Sequence, residues 1–100
     1  MEIVSIDELI GYLKTRKPFL RERFGVTRIG VFGSFARGDH TVQSDIDLVV
    51  EIDKSKKNIH TFFQLRRLLE KELSRPVDLG FGNSLKPVVR ESVKGKIIYA

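Results

Sequence analysis

Gly33-Ser34 and, after ten intervening residues, Asp45-Ile46-Asp47 have the types and spacing to do chemistry in this sequence. Both carboxylates stand at the head of an apolar run, Ile46 to Val50. Residues i and i+2 of a strand project from one face, so Asp45 and Asp47 lie side by side while Ile46 and Leu48 turn the other way. Adjacent carboxylates repel unless a proton or a cation stands between them. Oxygen donors on a stiff strand suit Mg²⁺, which takes one or two carboxylates, keeps waters and binds substrate phosphates. The Gly-Ser turn fits the other half of such a site. Gly33 allows the backbone to approach a ligand closely, and Ser34 can cap a short helix whose free N–H groups bind phosphate.

The elements that must position these residues are readable on either side. Ser5-Ile6-Asp7-Glu8 is a capping box, and Ile6, Leu9, Ile10 and Leu13 continue at helical spacing. Pro18 predicts a break, giving one helix from 6 to about 16 and a short turn from 18 to 24 that Gly25 stops. Residues 26–32 form the first strand, 33–38 the phosphate turn with one or two helical turns, and 39–43 a polar loop. The second strand runs from 45 to 52 and is apolar enough after Asp47 to be covered on both faces. Residues 58–73 are the clearest helix, with Ile59, Phe62, Phe63, Leu65, Leu68, Leu69 and Leu73 as its apolar stripe. Pro76 to Leu79 is a short strand, 80–83 a turn, 84–93 a last helix, and 97–99 a terminal strand or packed tail. Asp78, alone between Val77 and Leu79, reads equally as an exposed strand residue or as a site residue. The fold class is α/β, a small mixed sheet with helices packed against it.

The pattern Gly33-Ser34, ten residues, Asp45-Ile46-Asp47, with Arg37-Gly38 and Ser44 around it, resembles the signature of the DNA polymerase beta-type nucleotidyltransferase superfamily. Within that group the chain is similar to the minimal nucleotidyltransferases, small proteins paired with HEPN-domain partners, from about Ile6 to Tyr99. The resemblance implies a polymerase beta-like nucleotidyltransferase fold and a third metal-binding aspartate from the strand beside the Asp-x-Asp strand. Asp78 is the acidic residue in that position. It also implies a two-metal mechanism. Asp45, Asp47 and Asp78 would be the catalytic, Mg²⁺-binding residues, with carboxylates close enough to share a cation. Gly33 and Ser34 would hold the β- and γ-phosphates of ATP. Arg37 would lie near the phosphates or carboxylates, or be a surface residue or structural ion-pair partner. The implied function is an antitoxin that transfers AMP from ATP to a tyrosine hydroxyl of a HEPN-type toxin. The alternatives are a non-catalytic nucleotide- or metal-binding antitoxin, and an enzyme acting on a small hydroxyl compound such as an aminoglycoside.

Composition bounds these readings. One hundred residues suffice for a single domain, 1–100, with one core and no room for a separate substrate-binding domain. A hydrophobic share of 41% and a charged share of 31% are those of a globular protein. No stretch approaches the ~18 apolar residues of a membrane span, the first residues lack the regions of a signal peptide, and no cysteine is present. A cytoplasmic location is expected. The net charge of +5 agrees with an anionic ligand. Lys54, Lys56 and Lys57 read as a solvated loop, and direct nucleic-acid binding is not expected. His40 and His60 have no ligand spacing and read as surface residues. No Ser-His-Asp arrangement, dinucleotide fingerprint or P-loop is legible.

Overall fold

The computed structural model describes Ile3 and residues 5–81 and 97–100. Their order is α1 (Ile6–Phe24), β1 (Val26–Phe32), α2 (Gly33–Arg37), β2 (Ile46–Ile52), α3 (Ile59–Leu73), β3 (Val77–Phe81) and β4 (Ile98–Tyr99). The last helix expected at 84–93 lies outside the described residues.

The strands form one mixed sheet in the order β3-β2-β1-β4. β1 runs antiparallel to both β2 and β4, while β2 and β3 are parallel, with α3 as the crossover between them. Alternation along the strands sorts the side chains. Ile29 and Val31 of β1, Ile46, Leu48, Val50 and Ile52 of β2, and Val77 and Leu79 of β3 join the main core. That core also takes Leu9, Tyr12, Leu13, Leu20 and Phe24 from α1 and Leu65, Leu69 and Leu73 from α3. Arg28, Gly30, Asp47, Val49, Glu51 and Asp78 occupy the alternate positions and turn to the opposite face. Coverage of β2 on that second face is seen at Val49, which is buried outside the main core.

Two boundaries differ most from the sequence reading. α1 does not break at Pro18 but runs through it as one helix. Proline lacks the N–H that would bond back to Lys14, which costs about 3 kcal/mol in a helix interior. Leu20 and Phe24 lie beyond it on the same buried face as Leu13. Each gains about 1.5–3 kcal/mol from burial, enough to carry the helix across. Ser5 caps the start by accepting from the Glu8 N–H at 3.2 Å, and Gly25 ends the helix in the left-handed region. The second difference is β3, which continues through Gly80 and Phe81 where a turn was expected.

α3 begins as expected, with Asn58 accepting from the Thr61 N–H at 2.9 Å. Leu65, Leu69 and Leu73 of its stripe are buried and Leu68 partly so, while Ile59 and Phe63 are exposed. Glu72 ties the two long helices together. It accepts from Arg16 Nε at 3.0 Å and Nη2 at 2.8 Å, and from the Tyr12 hydroxyl. Desolvation, then Glu72, raise the Tyr12 pKa above the ordinary tyrosine range.

Candidate active site

The β1–β2 pairing starts the site. Phe32, the last residue of β1, lies opposite Asp47. The next residue, Gly33, turns the chain into α2 beside that carboxylate. Its φ of 73° is a conformation that favours glycine. A Cβ at Gly33 would stand 2.1 Å from Asp47 Oδ2, so the close approach itself excludes a side chain.

α2 has five residues and its N-cap position is Phe32, which makes no side-chain cap bond. Ser34 is therefore not the cap that the sequence suggested. It sits inside the first turn, where backbone N–H groups have no helical acceptor. The reason is the turn geometry: Gly33 already begins the helix, leaving Ser34 two residues too late to cap it. Fully buried Phe35 anchors α2 to the core. His40, expected at the surface, instead stacks on the Phe35 ring at a centroid distance of 3.9 Å; His60 is exposed. Gly38 ends α2 in the left-handed region.

The parallel β2–β3 pair brings in the third carboxylate. Asp47 is in register with Asp78 and Leu48 with Leu79. Side chains of Val77 and Leu79 are in the core while Asp78 is exposed, so Asp78 shares the face of Asp47. Asp45 lies one residue before β2 and is exposed. Asp47 and Asp78 thus share a face and a register. Among the described residues no three acidic, histidine or cysteine side chains are drawn into a closed metal cage. Mutual repulsion of three carboxylates opposes such closeness.

Asp47 records the field of this face. Burial raises its pKa from the ordinary 3.8 to about 6, Asp78 and Asp45 add to the rise, and Arg37 opposes it. A half-buried carboxylate among two others is a position that a cation would relieve, and the donors are all hard oxygens. This donor set fits Mg²⁺, which needs only one or two protein carboxylates beside substrate phosphates and water. Arg37 pairs with Asp39 at 3.3 Å. It therefore combines a structural ion pair with an electrostatic reach to Asp47.

Residues 13–100 match the family model described as the nucleotidyltransferase domain. The chain belongs to this family. It is a nucleotidyltransferase by sequence and by fold. It is 36% identical over 99 residues to the protein adenylyltransferase MntA of Thermococcus cleftensis, spanning 99% of each chain. A solved structure provisionally classed as a minimal nucleotidyltransferase is 30% identical, with a TM-score of 0.77 over 95% of each chain. A toxin–antitoxin crystal structure with AMP-PNP shares the fold at 23% identity, with a TM-score of 0.67 over 96% of this chain and 72% of that chain.

Two residues of this nucleotidyltransferase were not singled out in the sequence. Glu70 Oε2 accepts from the Val77 N–H at 2.9 Å and fixes the start of β3. Arg75 reaches across to the carbonyls of Thr41 and Ser44. Both act through contacts that no local pattern announces. Ser44, read as a loop support, does bond within the loop: its Oγ accepts from the Thr41 N–H at 2.8 Å. Among the described residues, no helix is long and apolar enough to cross a membrane.

Proposed function

We propose that residues 1–100 form a single minimal nucleotidyltransferase domain that transfers AMP from ATP to a tyrosine hydroxyl of a HEPN-type toxin, acting in the cytoplasm as its antitoxin. The observation that carries the reading is the shared face of Asp47 and Asp78, in register on parallel strands with Gly33 against Asp47. The whole-length likeness to a protein adenylyltransferase supports a protein acceptor.

In this reading Asp45, Asp47 and Asp78 hold Mg²⁺. The Gly33 backbone and Ser34 receive the β- and γ-phosphates, and Arg37 adds positive charge at the rim. Two bound Mg²⁺ ions would lower the pKa of the acceptor hydroxyl and offset the charge of the departing pyrophosphate. The chain's own part is to orient these groups, because transfer between two oxygens needs alignment and charge stabilisation rather than a protein nucleophile. A tyrosine hydroxyl, with a pKa near ~10, ionises more readily than an aliphatic alcohol. The adduct would place a bulky anion on the toxin and could block its site.

The test is to incubate the purified protein with Mg²⁺, ATP and the partner that co-purifies with it, then weigh the partner intact. The expected result is a mass gain in AMP units that is absent with Asp47→Asn. A partner of unchanged mass that is nevertheless inhibited would replace transfer with neutralisation by binding.

A further inference from the structure

Arg75 lies in the link between α3 and β3, three residues before Asp78. Its guanidinium spans three parts of the chain. Nη1 donates to the Thr41 carbonyl at 3.1 Å and to the Ser44 carbonyl at 2.8 Å, and Nη2 donates to the Ile3 carbonyl at 3.1 Å. Its central carbon lies 5.2 Å from the centre of the Phe35 ring. The Thr41 and Ser44 carbonyls belong to the loop that delivers Asp45 and then Asp47. Phe35 belongs to the helix that opens at Gly33. One half-buried side chain therefore touches the approach to each part of the site.

We infer that Arg75 is a positioning residue of the nucleotidyltransferase site: its three-carbonyl clamp fixes the Asp45–Asp47 loop against the strand that carries Asp78. The inference rests on the proposed role of those carboxylates and goes beyond it, because Arg75 touches neither them nor the reacting groups. The need for a clamp follows from charge. Asp45 and Asp78 both act on Asp47 as like charges, and a loop ending in Asp45 would relax outward if nothing held it. The backbone supplies one restraint there, the bond from the Ile46 N–H to the Pro76 carbonyl at 3.0 Å. Arg75 adds three more, from the residue before Pro76. The loop's own bonds, Ser44 N–H to the Thr41 carbonyl at 3.1 Å and Thr41 N–H to Ser44 Oγ at 2.8 Å, shape a turn but do not tie it to β3. Carbonyl acceptors matter as well. They bind the guanidinium without consuming a carboxylate, so the clamp does not compete for the acidic groups. The planar fork suits several acceptors in fixed directions, whereas a lysine ammonium is a single flexible point charge.

The test compares the wild type with Arg75→Lys and Arg75→Ala in the full chain. Amide hydrogen exchange without nucleotide reads the loop directly. Exchange at Ser44 and Ile46 is expected to rise about tenfold or more in both variants, the scale of losing one charge-assisted hydrogen bond, while amides of β1 stay protected. Uniform acceleration across β1 and the loop would make Arg75 a general stabiliser and overturn the inference, as would an unchanged loop. Turnover with the partner is measured below the melting temperature of each variant. It is expected to fall mainly in kcat, to remain low in Arg75→Lys, and to recover in Arg75→Ala on adding millimolar guanidinium. That ion lowers global stability, so recovery cannot come from refolding. Should Arg75→Ala fail to fold, Arg75→Lys carries the exchange test alone. A wild type that transfers no AMP would refute the proposed activity, while the exchange pattern still decides the clamp.

Discussion

Replacing Asp47 by Asn tests whether the carboxylate face carries strain that the fold tolerates for function. Burial, followed by the charges of Asp78 and Asp45, raises the Asp47 pKa from 3.8 to about 6 despite Arg37. A carboxyl with a higher pKa in the folded than in the unfolded chain binds its proton more tightly when folded. Its contribution to stability is therefore complete below the unfolded value and is lost as pH rises through the folded one. The window runs from 3.8 to about 6. A shift of about two units corresponds to about 3 kcal/mol. Asp47 is only half-buried, and solvent screening reduces that to about 1 kcal/mol. Asp47→Asn removes the charge and keeps the shape. Without divalent cations, the variant is expected to exceed the wild type by about 1 kcal/mol at pH 7.5, or roughly 4–8 °C in Tm for a domain of this size. The gap should narrow as pH falls through about 6 and close near 3.8. Saturating Mg²⁺ with ATP should then stabilise the wild type far more than the variant, by about 2.7 kcal/mol at a hundredfold excess over Kd. Urea unfolding at both pH values, with and without MgATP, gives all four numbers. A variant that is less stable at pH 7.5, or a gap that ignores pH, would refute the reasoning.

Gly33→Ala is expected to cost at least about 1–2 kcal/mol for the left-handed backbone alone, with a further loss from the approach to Asp47 and with abolished transfer; denaturant melts and turnover check both. Asp78→Asn should lower the Asp47 titration midpoint from about 6 toward 3.8, followed by side-chain carboxyl NMR across pH; an unmoved midpoint would uncouple the two residues. Pro18→Ala should raise stability by about 1–3 kcal/mol by restoring a helix donor at an exposed position, read as a higher Tm with unchanged activity.

Local chemistry made the Gly33-Ser34 turn and the Asp45-Ile46-Asp47 motif legible as a unit, although β2 begins only at Ile46 and its period of two reaches Asp47 and not Asp45. Asp78 was readable only in part. Its neighbours Val77 and Leu79 mark a strand, but the register that sets Asp78 beside Asp47 depends on α3 and on a pairing between distant segments. Pro18 misled because its cost is local and visible, whereas the burial of Leu20 and Phe24 that outweighs it is tertiary. Ser34 misled for a related reason: serine before a helix reads as a cap, and the helix starts two residues earlier than that reading requires. His40 was assigned to the surface since nothing near it in sequence reveals that Phe35 offers it a ring to stack on. The linkage of Tyr12, Arg16 and Glu72, and the reach of Arg75, join residues far apart in the chain and leave no periodic trace.

The parallel pairing of β2 and β3 also imposes an order in time. Antiparallel neighbours can form as soon as the chain doubles back, so Gly33 can meet Asp47 once β2 has been made. A parallel neighbour needs a return trip along the sheet, here supplied by α3. Asp78 can join only after that helix has been synthesised and laid down, and such distant contacts form late. A chain emerging from the ribosome would hold the glycine turn and two carboxylates well before the third. In the proposed reading, its chemistry stays silent until β3 has paired with β2.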